Sequence, residues 1–350
     1  MKDGPQISVI LLAYDRLEFL PQSIDSVFKQ DLDHNKFELV IVGNVDETAV
    51  RQIVAKCRGL SKLHVIIQMH APKPLGLSYL IGMKLSRGEI IAPLDDDDEW
   101  ERSRLQRIST AFSRHPGVGL WHNNQDLIDA KGMPFSRDTT VRLFRHPSIA
   151  SKDKTIILNF KRLISKPELI RKFEIDFNAS SIATKRDALE DIDDLLANYT
   201  FGSDTLLLYG ALRRHYDIAV CPLPLTKYRI HTHNASSIPS VGHKPSSLAT
   251  TIERLQRAAL THLNCFQLLR QKLVSIGEVE SVRVIDFDMT YYALLNAMIS
   301  GSRKTTWCAL LEYFSYPRNL LTYKGVIIAL ASLLDIITPQ LFNVIYLKVR

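Results

Sequence analysis

Cysteine is scarce in this chain of 350 residues: Cys57, Cys221, Cys265 and Cys308 stand far apart, with no C-x-x-C pair and no metal-ligand spacing. That argues against a disulfide framework or a thiolate zinc site, and it suits a reducing compartment. Long apolar runs are scarce too. The run Gly325 to Leu334 is too short to cross a bilayer, and Asp335 and Pro339 prevent its extension toward the C-terminus. The start, Met1-Lys2-Asp3-Gly4-Pro5-Gln6, leads straight into a strand pattern without the signature of a signal peptide, so the expected location is cytoplasmic, at the cytoplasmic face of a membrane. There is no low-complexity tract and no basic tail. The net charge of +7 is dispersed, which fits anionic ligands or an anionic membrane surface and requires no nucleic acid. With 46% hydrophobic and 23% charged residues, the chain can bury the core of one large domain and a smaller appendage.

What is concentrated is acid, at one point. Leu94-Asp95-Asp96-Asp97-Asp98-Glu99-Trp100 closes the apolar run Glu89-Ile90-Ile91-Ala92-Pro93-Leu94. Adjacent like charges repel unless a divalent cation or another partner neutralises them. Hard oxygen ligands of this kind suit Mg2+ or Mn2+, which also coordinate substrate phosphates. A solvated acidic turn is the plainer alternative.

The first part of the chain alternates two periodicities. Ile7 to Leu12, Phe37 to Val42, Leu63 to Gln68 and Glu89 to Leu94 read as strands rich in β-branched residues. Leu17 to Lys29, Glu47 to Gly59 and Leu75 to Arg87 have helical spacing, the first repeating Leu17, Leu20, Ile24, Val27 and Phe28. Such alternation predicts a parallel, doubly wound α/β sheet with right-handed crossovers. Ligands bind such sheets outside the carboxyl ends of the strands, where the acidic run and the loop Ala13-Tyr14-Asp15-Arg16 both fall. That loop reads either as a nucleotide contact or as helix capping and surface charge.

Together these segments resemble the family 2 (GT-A fold) glycosyltransferases. The resemblance rests on Ile7-Ser8-Val9-Ile10 with Ala13-Tyr14-Asp15-Arg16, on Phe37 to Val42, and on Gly88-Glu89-Ile90-Ile91 with the acidic run. It continues through Gly202-Ser203-Asp204-Thr205-Leu206 and Pro224-Leu225-Thr226-Lys227-Tyr228-Arg229-Ile230-His231, about two-thirds of the chain. It implies a GT-A fold, a Rossmann-like mostly parallel sheet, over residues 1–247, with a helical C-terminal region over 248–350. It also implies that Asp95 and Asp97 form a D-x-D element holding Mn2+ or Mg2+ on the diphosphate of a nucleotide-sugar. Asp204 would be the base of an inverting transfer, standing in a Ser-Asp where the family more often has Glu-Asp. Asp98 would support the loop or face the acceptor and is the second choice for the base. Ala13, Tyr14, Asp15, Arg16, Asn44, Asp95, Asp96 and Arg229 would line the donor, and His231 would contact diphosphate or metal. The acceptor implied is a glycan or a lipid-linked glycan.

Two departures from the family stand out. Where an Asp-Asp-Gly-Ser run commonly meets the nucleobase, this chain has Val42-Gly43-Asn44-Val45-Asp46, and where Arg-Asn is common it has Tyr79-Leu80. Asn44 can hydrogen-bond a base edge, and Asn44 or Asp46 can equally cap the next helix. UDP is the default nucleotide by family frequency. In Asn178 to Asp187, which resembles a short strand before a helix, Lys185 and Arg186 read as phosphate contacts or as solvated charge. Thr232 to Ser247, rich in Ser, Pro, His and Gly, reads as a lid.

From Leu248 the pattern is helical, amphipathic from Ile252 to Leu273 and apolar from Val284 to Ile299. Trp307, Tyr313, Phe314, Tyr316, Arg318, Tyr323 and Lys324 are types that sit at headgroup depth, so an interfacial hairpin and peripheral membrane contact are expected. A helical subdomain packed on the core or on a second copy is the alternative. In function, the alternatives to a transferase are an inactive nucleotide-sugar binding module of the same fold and a metal-dependent phosphohydrolase.

Overall fold

A computed structural model describes residues 4–14, 16–59, 61–134, 154–198, 203–231, 248–300 and 302–337. The described residues divide into two compact units, one drawn from 4–134, 154–160 and 173–229, the other from 161–172 and 230–337.

The first unit opens with β1 (Ile7–Ala13), α1 (Leu20–Phe28), β2 (Phe37–Gly43), α2 (Glu47–Arg58), β3 (His64–Met69), α3 (Leu75–Leu85) and β4 (Ile90–Asp95). Every residue of β1 and β2 is buried, because helices cover both faces of the sheet. Ile7, Val9 and Leu11 join a cluster with Leu20, Ile24 and Val27 of α1 and Val50 and Val54 of α2. Ile10, on the opposite face, packs against Gly82 of α3. Burying each such side chain stabilises the fold by roughly 1.5–3 kcal/mol. Helix α1 starts later than the apolar spacing predicts because Pro21 occupies its first turn, where a missing N–H costs nothing. Helix α2 starts where Asp46 accepts a hydrogen bond from the Ala49 N–H at 2.7 Å, so Asp46 is a cap.

The chain continues through β5 (Glu99–Trp100), α4 (Arg104–Arg114), β6 (Val118–Ile128), β7 (Ile156–Leu158), α5 (Phe160–Ser165), α6 (Glu168–Phe173), β8 (Ile182–Lys185), α7 (Asp193–Asn198), α8 (Ser203–Arg213) and β9 (Asp217–Arg229). The described strands form one sheet in the order β3-β2-β1-β4-β8-β6-β9-β5, with β7 on β9. From β3 to β4 the pairing is parallel. Beyond β4, β8 runs antiparallel to both β4 and β6, β6 and β9 are parallel, and β5 closes antiparallel on β9.

The second unit contains α9 (Leu248–Ser275), α10 (Val279–Ile299), α11 (Arg303–Ser315) and α12 (Tyr323–Ile337). Leu294, Leu295 and Met298 of α10, Leu310 and Tyr313 of α11 and Ile328 of α12 share its core. The segment 161–172 also lies in this unit, and Arg171 shows why. Its Nε pairs with Asp288 at 3.0 Å, Nη1 donates to Asn319 Oδ1 at 2.6 Å, and Nη2 donates to the Phe287 carbonyl at 2.6 Å. Among the described residues no helix is long and apolar enough to cross a membrane. The expected lid, 232–247, and the last residues of the expected hairpin, 338–350, lie outside the described residues.

Candidate active site

The acidic run is a turn clamped at both ends. Asp95 closes β4 opposite Leu12 of β1, and its N–H donates to Ser180 Oγ at 3.0 Å. The Asp98 N–H turns back to the Asp95 carbonyl at 3.3 Å. Directly after, Glu99 and Trp100 pair with Lys227 and Thr226 of β9. Trp100 Nε1 donates to the Ser180 carbonyl at 2.8 Å, so one serine steadies both sides of the turn.

This folding sorts four identical residues into different environments. Asp95, Asp97 and Asp98 each offer a carboxylate oxygen, all within 4.8 Å of one another. Three converging hard oxygens fit Mn2+ or Mg2+. Asp96 turns toward the β1–α1 loop instead, where it accepts from the Tyr14 N–H at 2.8 Å and pairs with Arg16 Nε at 2.8 Å. Arg16 Nη1 lies on Asp97 Oδ2.

Burial and crowding set the protonation of the cluster. Burial, then the charge of Asp97, raises the Asp95 carboxyl to about 7, against the pull of Arg16, and Asp204 adds to the rise. Burial, Asp97 and Asp95 likewise hold Asp98 well above the usual carboxylate range. Burial alone would lower the Arg16 pKa, but Asp97 and Asp96 outweigh it and raise it.

Asp98 is 0% exposed and its Oδ1 accepts from the Arg229 N–H at 3.0 Å, so it braces the turn from behind. Arg229 is also interior, at 1% exposure. Its Nε donates to the Asp97 carbonyl at 2.8 Å, Nη1 to the Asp129 carbonyl at 3.1 Å, and Nη2 pairs with Glu99. The guanidinium expected to face a diphosphate instead bolts the acidic turn to β9 and to the end of β6. His231 is buried and falls in the second unit.

Asp204, expected as the base, is half-buried in the first turn of α8. Its oxygens accept from the Asn178 N–H at 3.2 Å and the Thr205 N–H at 2.9 Å. Burial raises its pKa to about 6, although those two N–H groups pull the other way. Asn178, whose N–H it accepts, stands two residues before Ser180, whose Oγ takes the Asp95 N–H, so Asp204 and Asp95 are held by one short segment.

On the opposite flank, Ala13, Tyr14, Asn44 and His70 lie at the carboxyl ends of β1, β2 and β3. The Asn44 N–H donates to the Ala13 carbonyl at 3.0 Å, and a Cβ on Gly43 would sit 1.6 Å from that oxygen. Only glycine allows the two strand ends to come this close. Asn44 Oδ1 is shut from solvent without a hydrogen-bond partner among the described residues. Tyr14 Oη donates to the Lys73 carbonyl at 2.7 Å and lies 3.1 Å from Ser78 Oγ, which is 2.9 Å from His70 Nε2. Asp15 lies outside the described residues.

The Arg-Asn position holds Tyr79 and Leu80, both buried, and the Tyr79 hydroxyl has no hydrogen-bond partner among the described residues. Arg186 donates to the Gly88 and Met83 carbonyls at 2.8 and 2.7 Å and to Ser86 Oγ at 2.9 Å, and Lys185 Nζ donates to the Pro116 carbonyl at 2.7 Å. Both tie the end of β8 to its surroundings: the Arg186 guanidinium is taken up by protein groups, while the Lys185 ammonium keeps a partly exposed position. Sequence alone assigns no role to Ser180 or Asn178. The small polar run Asn178-Ala179-Ser180-Ser181 is the available signal, since such residues let a backbone turn approach another closely.

Comparison with known proteins agrees with this geometry. Residues 8–167 match the family model "Glycosyl transferase family 2". An uncharacterised glycosyltransferase of Nostoc is 26% identical over 291 residues, 82% of each chain. The structure of Staphylococcus aureus TarS with UDP-GlcNAc superposes with a TM-score of 0.50 at 16% identity, covering 89% of this chain and 92% of that one. A mannosyltransferase of Pyrobaculum calidifontis with GDP-Man and Mn2+ gives 0.51 at 14% identity, covering 97% and 85%. Both superpositions show a shared fold. The chain thus carries a family 2 glycosyltransferase domain over residues 8–167, which includes the acidic turn, within a sheet of GT-A type.

Proposed function

We propose that the protein transfers a sugar from a UDP-sugar to a glycan or lipid-linked acceptor, with inversion and with Mn2+ or Mg2+ held by Asp95 and Asp97. The observation that carries this is the convergence of the Asp95, Asp97 and Asp98 oxygens, with a half-buried Asp204 held by the same short segment as Asp95. A bound divalent cation stabilises the charge that grows on the leaving diphosphate. Asp204 takes the proton of the attacking hydroxyl. A carboxylate at about 6 is ionised at neutral pH yet basic enough to accept that proton. Asp98 and Arg229 keep the turn in shape. Asn44, with its unpartnered Oδ1, accepts from a donor N–H of the base edge, while Ala13 and Tyr14 line the same flank. The two structural neighbours each hold a nucleotide-sugar, which supports a donor of this class.

An acceptor carried on a lipid agrees with the surface of the helical unit. Trp307, Leu311 and Phe314 of α11 recur at i, i+4 and i+7 and are exposed, as are Val326, Leu330 and Leu333 of α12. Exposed Arg303 and Lys304 open α11 beside that stripe. Apolar side chains flanked by basic ones suit an anionic bilayer surface at the cytoplasmic face.

Thermal melting against a panel of nucleoside diphosphates and nucleotide-sugars, with Mn2+, Mg2+ or chelator, tests the donor, because a ligand of the folded state raises the melting temperature. The expected result is a shift with UDP-sugars that chelator removes. A shift that chelator leaves intact, or one confined to a purine nucleotide, overturns the corresponding part of the proposal.

A further inference from the structure

We infer that Arg16 is a resident cation for the acidic turn, competing with the divalent metal for Asp97. This rests on the proposed metal-dependent donor site, and concerns what occupies Asp97 before the donor arrives. Arg16 bridges two carboxylates: Nε pairs with Asp96 at 2.8 Å and Nη1 lies on Asp97 Oδ2. Its side chain is 17% exposed, against 1% and 5% for the two acids, so the ion pairs are shielded from solvent. Charges so placed interact far more strongly than at an open surface.

Asp97 is also one of the three residues whose oxygens converge for a metal. A guanidinium and a divalent cation on one carboxylate repel each other. Arg16 therefore has to release Asp97 when a metal binds there, and Asp96 supplies the pivot, because it holds Nε while Nη1 swings away. Asp96 also holds the Tyr14 N–H, so the pivot does not disturb the backbone of the donor flank. The released guanidinium gains an anionic partner once a diphosphate arrives. Metal alone then binds weakly, and metal and nucleotide strengthen each other.

The test is Mn2+ binding to the full chain, followed by electron paramagnetic resonance or calorimetry, with and without UDP. Arg16→Gln is expected to bind Mn2+ alone at least about tenfold more tightly than wild type, since a competing pair has been removed. UDP is expected to strengthen Mn2+ binding less in the variant than in wild type. In chelator the variant is expected to melt lower and to recover more on adding Mn2+. If it does not fold, Arg16→Lys, which keeps one charge but cannot bridge both acids, is expected to fall between the two. Mn2+ binding alone that is no tighter in Arg16→Gln, or in Arg16→Lys where that is the variant that folds, while wild type binds Mn2+ with UDP, overturns this inference and leaves the proposed function standing. Absence of Mn2+ binding in every protein, with or without UDP, overturns both.

Discussion

Arg229 meets Asp98 through its backbone and the neighbouring Asp97 through its side chain. The N–H donates to Asp98 Oδ1 at 3.0 Å while Nε donates to the Asp97 carbonyl at 2.8 Å. One residue at the end of β9 thus holds both the backbone and a carboxylate of a turn formed more than a hundred residues earlier.

Replacing the guanidinium tests that role. Arg229→Met keeps the bulk and the backbone hydrogen bond but removes the ion pair to Glu99 and the guanidinium's hydrogen bonds to the carbonyls of Asp97, Asp129 and Ala130, so a loss of about 2–4 kcal/mol is expected in denaturant titration. At a temperature where the variant is folded, its UDP affinity should stay within about threefold of wild type, because the side chain is inside the fold. A hundredfold loss of affinity with unchanged stability would put the guanidinium on the diphosphate instead.

Asp204→Asn separates chemistry from binding. Turnover is expected to fall by roughly 10²–10⁴, the range for losing a positioned base, with nucleotide affinity unchanged. In wild type, kcat should rise with pH through about 6, since only the ionised carboxylate accepts a proton. Stability should move the opposite way. The folded state raises this pKa from 3.8, so the contribution is complete below 3.8 and is lost as pH rises through about 6. At pH 8 the Asn variant is therefore expected to be more stable than wild type, by about 1 kcal/mol after allowance for partial exposure. An Asn variant with both unchanged turnover and unchanged stability would make Asp204 a plain helix cap.

The exposed stripe on α11 gives a surface prediction. Replacing Trp307, Leu311 and Phe314 together with serine should leave folding stability within about 0.5 kcal/mol per site, because surface changes cost little. It should also sharply reduce recovery on vesicles containing anionic lipid, measured by flotation. Equal recovery of variant and wild type would assign the stripe another partner.

The parallel half of the sheet was readable from sequence to within a residue or two, because β1, β2 and β4 are almost wholly buried and the β-branched runs of β1 to β4 alternate with helices of clear period. The antiparallel half was not. Strand β8 is four residues long, and its place between β4 and β6 depends on partners up to some ninety residues away, which no local period encodes. Charge was the other obstacle. Arg186 and Arg229 look like surface or ligand residues in a linear pattern, whereas the fold turns their guanidinium groups on backbone carbonyls. The acid cluster was legible as a unit, but the pairing of Asp96 with Arg16 was not, because it depends on how the turn rotates each side chain.

The clamp between β5 and β9 bears on biogenesis. The acidic turn is braced by a residue 131 positions downstream of Asp98, so a chain still emerging from the ribosome carries the four aspartates without the geometry that gathers them. Such distant pairings form late, after shorter loops have closed. Competence to hold a cation therefore arrives with the completed sheet, and a fragment ending before Asp217 would have the motif without the site.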